Sequence, residues 1–260
     1  MSARDPGLRA QTLWRDGAAE ADQLVVEAPL ELHLDGQPLA VLMRTPGEDL
    51  DLAAGFLVTE GLAEWPDDLH SLGHCTDPNR PNRENVVKVT RAPGAPRPAE
   101  RGFVATAGCG LCGKRQIEDL FQRAPPLTER LRLDAGVLAA LPETLRAAQP
   151  RFAASGGLHG AALVTAAGDL VCAREDVGRH NAVDKVLGAE WRADRWPLEG
   201  HALVVSSRAG FEILQKALVA RVGAVVAVGA ASTLAHDLAV QAGLSLYSFV
   251  RGAAFNAHQP

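Results

Sequence analysis

The chain carries one tyrosine, two methionines and four cysteines in 260 residues, and aromatic side chains make up only 5% of it. Four cysteines in a chain this long do not build a disulfide framework. Positive charge is not in surplus either: 26 Lys and Arg face 31 Asp and Glu, a formal net charge of −5. A general nucleic-acid coat is thereby disfavoured, because broad phosphate binding needs a basic excess. A local basic pocket stays compatible with that balance. Long apolar runs are missing. Ala202 to Val205 and Val225 to Gly229 have the length of strands, far short of the roughly 20 residues a membrane-spanning helix needs. The stretch Met1 to Gln23 is polar and broken by Pro6 and Gly7, so no secretory signal is expected and a reducing cytoplasm is the expected compartment.

What is present describes a globular chain. Hydrophobic residues are 47% and charged residues 22%, ample for a core in one large domain or two smaller ones. Residues 1–21 read as a flexible N-terminal arm. Residues 22–98 read as a small α+β subdomain. In it, Leu24 to Leu34 alternates, Asp35-Gly36 signals a turn, and Leu39 to Arg44 returns as the second strand of a hairpin. Glu48 to Glu60 has helical spacing, with Gly61 ending it, and Glu84 to Arg91 reads as another strand. The linker Pro93 to Pro98 marks the boundary. Residues 99–260 form the second domain. Asp134 begins a helix to Leu141 and Pro142 begins another. A hairpin follows, Ala161 to Thr165 with Leu170 to Ala173, turning at Gly168-Asp169. Helices at 179–190, 210–221 and 234–242 then alternate with strands at 202–206, 225–228 and 244–250. That order predicts an α/β fold: a mixed, mostly parallel sheet flanked by helices, with only the first pair antiparallel.

The most chemically loaded stretch runs from Thr106 to Lys114. Cys109 and Cys112 stand two residues apart among Gly108, Gly110 and Gly113. Phe103 to Thr106 reads as a strand and Lys114 to Arg123 as a helix, which puts the thiols on a turn before a helix N-terminus. The dipole there, with Lys114 and Arg115, favours thiolate. The pattern fits a thiol that carries a group such as a persulfide. It also fits half of a zinc site, a thiol–disulfide redox pair, or a structural loop. The zinc reading lacks a second Cys-x-x-Cys; Cys75, Cys172 and eight histidines are the remaining donors.

Two strand-to-helix junctions look suited to an anion. Ser206-Ser207-Arg208-Ala209-Gly210 is one, and Gly229-Ala230-Ala231-Ser232-Thr233 is the other. Helix N-termini offer amides to phosphate oxygens, and Arg208 adds a charged donor. The same residues also serve as ordinary caps. Arg179 and His180, in the polar run Arg174 to Lys185, read as a pocket wall or as a solvated helix start. His159 sits in the glycine-rich turn Ser155 to Gly160, and Arg251 follows the last strand.

These motifs together resemble a known family. Gly156 to His159, the run Arg174 to Val186, Ser-Arg-x-x-Phe-Glu-Ile at Ser207 to Ile213, and Phe249 to Gly252 are similar to the formate dehydrogenase accessory sulfurtransferase family (FdhD/NarQ). Gly108 to Gly113 looks like its active-site motif, and Met43 to Gly47 matches its N-terminal part. The resemblance starts near Leu24. It departs at Ala107-Gly108 and Ala209-Gly210, smaller than the serines common in relatives, and after Asn256, where the usual tyrosine is absent. What the resemblance implies is a persulfide carrier taking sulfur from a cysteine desulfurase to the molybdenum bis(molybdopterin guanine dinucleotide) of formate dehydrogenase. Cys109 would bear the persulfide, with Cys112 its neighbour. Phe249, Val250, Arg251, Gly252, Ala253 and Ala254 would hold the cofactor, near Ser206, Arg208, Gly229, His159, Arg179 and His180. A homodimer and a cytidine-deaminase-like second domain are implied as well. The zinc signature of those deaminases, His-x-Glu with a later Pro-Cys-x-x-Cys, is absent from the sequence, and no permanent metal is expected.

Overall fold

The structure, a computed structural model, describes residues 5–95, 120–121 and 123–259. Cys109 and Cys112 lie outside the described residues, as do the strand and most of the helix expected around them.

The chain opens on a hairpin rather than a loose arm. Strands β1 (Leu8–Arg15) and β2 (Ala18–Val25) pair antiparallel, with Arg15 opposite Ala18. The turn residues Asp16 and Gly17 both take positive φ, which is the two-residue turn that matches strand twist. The strands are almost wholly exposed and Trp14 stands 77% open. Without a buried face they carry no apolar alternation to read. The expected strand from Leu24 onward therefore splits, and β3 starts at Ala28 (Ala28–Leu34).

Strand β3 returns through Asp35-Gly36 to β4 (Gln37–Arg44). With β5 (Leu69–His74) and β6 (Val86–Arg91) they make a four-stranded sheet in the order β4-β3-β6-β5. Helix α1 (Asp49–Thr59) covers it: Leu52, Phe56 and Leu57 pack on Leu30, Leu32, Val87 and Val89.

The second sheet has the order β12-β11-β10-β9-β7-β8. Its strands are β7 (His159–Thr165), β8 (Leu170–Asp176), β9 (His201–Val205), β10 (Ala224–Ala227), β11 (Ser245–Arg251) and β12 (Ala254–Ala257). Helices α4 (Arg179–Arg192), α5 (Phe211–Val219) and α6 (Thr233–Ala242) cover one face through Val183, Ile213 and Leu238. Helix α2 (Ala135–Ala147) covers the other face through Leu138, Leu141 and Leu145, and the short α3 (Pro150–Ser155) follows it. With both faces covered, the central strands read as unbroken apolar runs.

Two expectations need correcting. Pro142 lies inside α2 rather than starting a second helix. Its ring forfeits one backbone bond, but the apolar stripe at 138, 141 and 145 holds both halves of the helix on the sheet. The sheet is mixed, yet parallel pairing is confined to β9-β10-β11. Besides β7–β8, the pairs β7–β9 and β11–β12 are antiparallel. The β8–α4–β9 crossover does join strands of one direction, but it passes over β7, which lies between them. As a result the start of β7 lies at the same sheet edge as the ends of β8, β9 and β10.

The two sheets meet through α1 and α4, which cross at two glycines. A Cβ on Gly55 would collide with the Asp184 carbonyl oxygen, and one on Gly188 with that of Asp51. Backbone meets backbone there, and neither helix can retreat from its own sheet. Gly55→Ala is therefore expected to cost about 3 kcal/mol, the upper end for overpacking. That corresponds to a melting temperature lower by roughly 6–12 °C. Thermal denaturation checks it, and a shift under about 2 °C would contradict the close crossing.

Candidate functional site

Three segments are stitched together where the parallel strands end. Ser206, just past β9, is tied to β7: its backbone N–H donates to the Gly160 carbonyl at 3.0 Å, and its Oγ accepts from Gly160 N–H at 2.9 Å. Gly229, just past β10, donates to the Ser207 carbonyl at 3.2 Å and accepts from Phe249 N–H at 2.9 Å. A Cβ on Gly229 would press on Arg208 N and Ser207 O at 3.0 Å, so a bare Cα lets the two turns lie side by side. Ser232 then caps α6, its Oγ accepting from Ala235 N–H at 3.2 Å. Arg208 is exposed.

Strand β11 extends beyond its neighbours. Phe249 takes a positive φ of 51° and is 45% exposed, and the Arg251 guanidinium lies 6.0 Å from its ring centre. Val250 is fully buried in the core between them. Gly252, Ala253 and Ala254 are exposed on the turn into β12.

His159 opens β7 opposite Asp176, at this edge. It is half-buried. Burial and the Arg179 guanidinium pull it below the usual imidazole range, against the opposing influence of Asp176. His180 Nε2 lies 2.7 Å from Glu212 Oε2, and this contact holds the Glu212 carboxyl below its usual range despite burial. The edge thus gathers Ser206, Arg208, Gly229, Phe249, Arg251, His159, Arg179 and His180, though their chain positions span 93 residues from 159 to 251.

The rest of the polar run Arg174 to Lys185 is joinery rather than pocket wall. Asp176 accepts from Thr45 N–H at 3.1 Å, Gly178 N–H at 2.9 Å and Asn181 Nδ2 at 3.0 Å. Glu175 accepts from the backbone of Arg151 and Phe152 at the start of α3. Asp184 pairs with Lys216 at 3.0 Å and accepts from the Thr59 hydroxyl of α1. Cys75 and Cys172 are buried and unbridged, and burial pushes the Cys172 thiol up. Among the described residues no three His, Cys, Asp or Glu side chains are grouped to hold a metal. No described helix is long and apolar enough to cross a membrane.

Beside the edge lies a cleft of about 640 Å³ that the sequence did not announce. His159, Ser206 and Val228 line one side of it, and Arg146, Gln149 and Phe152 line the other. A helix starting at Pro142 would have made Gln149 an ordinary surface residue; here it ends the turn between α2 and α3, buried. A second cavity, of about 600 Å³ near Trp65, Trp196 and Arg221, includes none of the residues expected at the site.

The neutral imidazole of His159 is the form the fold favours. Its contribution to stability is complete above pH 6.5 and is lost as pH falls below that value. NMR titration of the free protein is expected to place the His159 midpoint below 6.5, and an anionic ligand at the edge is expected to raise it. A midpoint above 6.5 in the free protein would contradict the effect of burial and of the Arg179 charge.

Fold and edge define an α/β protein whose parallel strands end at a polar edge carrying Arg179, Arg208 and Arg251. The chain matches the FdhD/NarQ family over residues 25–259, and it belongs to that family. Sulfur carrier protein FdhD of Streptomyces avermitilis is 47% identical over 258 residues, covering 94% of this chain and 90% of that protein. The protein of the same name from Streptomyces coelicolor is 46% identical over 254 residues with the same coverage, and that of Anaeromyxobacter dehalogenans strain 2CP-C is 45% identical over 260 residues, covering 95% and 90%. A crystal structure of a candidate formate dehydrogenase accessory protein from Desulfotalea psychrophila superposes with a TM-score of 0.74 at 20% identity, covering 97% of this chain and 96% of that one. At that identity it supports the fold.

Proposed function

We propose that this protein is a sulfur carrier in formate dehydrogenase maturation. It accepts sulfur from a cysteine desulfurase as a persulfide on Cys109 and delivers it to the molybdenum bis(molybdopterin guanine dinucleotide) cofactor, its substrate. The observation that carries the reading is the pairing of a Gly-rich Cys-x-x-Cys stretch with similarity, over 94% of the chain, to proteins named sulfur carriers.

The chemistry is thiol exchange. The Cys109 thiolate attacks the outer sulfur of the donor's persulfide; the S–S bond there breaks and the donor cysteine leaves as thiolate. The product is Cys109–S–SH, with no net oxidation. The outer sulfur then passes to the cofactor as sulfide: a thiolate, from Cys112 or a small-molecule thiol, attacks the Cys109 sulfur, the persulfide S–S bond breaks, and the disulfide left on Cys109 is reduced by further thiol. Cys112 assists delivery or resolves the persulfide.

The substrate carries two nucleotide arms with several phosphates. Arg208, Arg251 and Arg179 give the edge a local positive field within a chain of net charge −5. The N-termini of α5 and α6, which begin just past these two turns, suit phosphate oxygens, and Phe249 offers an exposed ring for stacking. A homodimer, one edge for each nucleotide arm, belongs to the same reading, as does a cytoplasmic location.

Complementation tests it. A host lacking its own family member is expected to regain formate-dependent dye reduction when this chain is expressed. A host that makes the chain in soluble form and stays inactive would overturn the reading.

A further inference from the structure

The cavity near Trp65 stands at the opposite end of the second sheet from the strand-end edge. On its walls, Trp196, Pro197 and Glu199 precede β9 and Arg221 precedes β10. It encloses about 600 Å³, with Val58 and Leu62, at and just past the end of α1, as an apolar wall. Trp65 is 47% exposed and Trp196 is half-buried. Trp191 uses its indole N–H inside the fold, donating to the Glu64 carbonyl at 3.1 Å. The indole N–H groups of Trp65 and Trp196 make no hydrogen bond among the described residues.

The charges around the two rings are uneven in their freedom. Asp68 accepts from the Glu64 and Trp65 N–H groups at 2.7 and 2.9 Å and so fixes the turn that displays Trp65. Arg123 donates to the Glu60 carbonyl at 3.0 Å, and Arg221 donates to the Pro125 carbonyl at 2.6 Å. Both guanidinium groups are thereby tied into the frame. The carboxylates of Glu64 and Asp67, on either side of Trp65 in the chain, are exposed and form no hydrogen bond or ion pair among the described residues. Unengaged charge at this cavity is therefore negative, and it stands beside an open aromatic face.

Each of these groups has the same complement. A guanidinium or ammonium stacks on an indole and pairs with a carboxylate, and main-chain carbonyls of an extended segment accept from indole N–H groups. Tryptophan in a pocket is also the side chain that most often anchors a protein interface. We propose that this cavity docks a basic, extended segment of the protein that donates sulfur to Cys109. The proposal rests on the sulfur-carrier reading above and adds where the donor binds. A carrier meets donor and acceptor in turn. On that reading the acceptor's phosphates belong at the edge carrying Arg179, Arg208 and Arg251, where the parallel strands end. The acidic cavity lies where β9 and β10 start, so a donor seated there leaves that edge clear. Arg123, on the cavity wall, follows Cys112 by eleven residues in the chain.

The test compares two sulfur donors on the full chain, with loading at Cys109 followed by intact mass. One donor is a cysteine desulfurase with cysteine. The other is inorganic polysulfide, which needs no docking: the Cys109 thiolate takes its terminal sulfur and the shortened polysulfide leaves. Glu64→Lys and Trp65→Ala are each expected to raise the carrier concentration for half-maximal loading from the desulfurase by about tenfold. The maximal rate should change less than about twofold, the pattern of lost binding rather than lost chemistry. Polysulfide should load both variants within about twofold of the parent rate. Glu64→Lys alters an exposed carboxylate that holds nothing in the fold, so it carries the test alone if Trp65→Ala melts early. Loading from the desulfurase at the parent's half-maximal concentration in Glu64→Lys would overturn the docking site and leave the sulfur-carrier reading standing. Equal loss with both donors would also overturn it, because docking has no part in polysulfide loading. A parent chain that loads from neither donor would overturn the docking site together with the carrier reading beneath it.

Discussion

Lys185→Met is expected to destabilise the protein by about 3–5 kcal/mol, the range for removing one partner of a buried ion pair. The melting temperature should fall by roughly 10 °C. Lys185 and Asp176 are both fully buried, with Nζ 2.8 Å from Oδ2. The ammonium also donates to the carbonyls of Thr45 at 2.9 Å and Glu175 at 3.3 Å. Methionine fills the same volume and supplies none of this. It leaves a buried carboxylate with the Thr45, Gly178 and Asn181 donors as its hydrogen-bond partners among the described residues. Coupling the change with Asp176→Asn removes the stranded charge but keeps an acceptor, so the double variant should recover more than half of the loss. Thermal and denaturant unfolding of both variants measure this. The consequence reaches the site, because the pair joins Thr45, just past β4, to the segment that presents Arg179 and His180. Ligand affinity should therefore fall along with stability. A single variant that melts within about 2 °C of the parent would show that the pair does not hold the joint.

Cys109→Ser is expected to abolish sulfur loading and formate dehydrogenase activation, leaving a folded, cooperatively melting protein. Serine preserves size and polarity but cannot form a persulfide under these conditions. Cys112→Ser separates the two thiols. Loading without activation would assign Cys112 to delivery, and full activity would make it dispensable. A thiol–disulfide oxidoreductase would behave otherwise: both cysteines would be essential, and oxidation would remove two hydrogens rather than add sulfur. A zinc-stabilised module would lose its fold to a chelator. Loaded Cys109→Ser protein would end the persulfide account at this residue.

Much of the second sheet was legible because its strands and helices have distinct periods. The apolar runs at 202–205 and 224–227 and the amphipathic helices between them needed no tertiary information. The first hairpin was missed for the opposite reason. Asp16-Gly17 is the same dipeptide as Asp35-Gly36, but only the second is flanked by strands with a buried face to mark them. Strand direction was also hidden: local pattern gives no sign that the β8–α4–β9 crossover would step over β7. That topology is what carries His159 to the edge, so its place in the site could be argued from family resemblance but not from spacing. Arg174 to Lys185 shows the limit from another side. Sequence marks a polar cluster, and only packing separates Arg179 and His180 at the strand-end edge from Asp176 and Lys185 in the joint. Gln149 gave no signal, because its character comes from burial against Gly160.

The most direct test is the intact mass of the protein after incubation with a cysteine desulfurase and cysteine, with and without a thiol reductant. The account predicts a gain of one sulfur, about 32 Da, that maps to Cys109 and disappears on reduction. A loss of two hydrogens instead, or no change with an active desulfurase present, would contradict it.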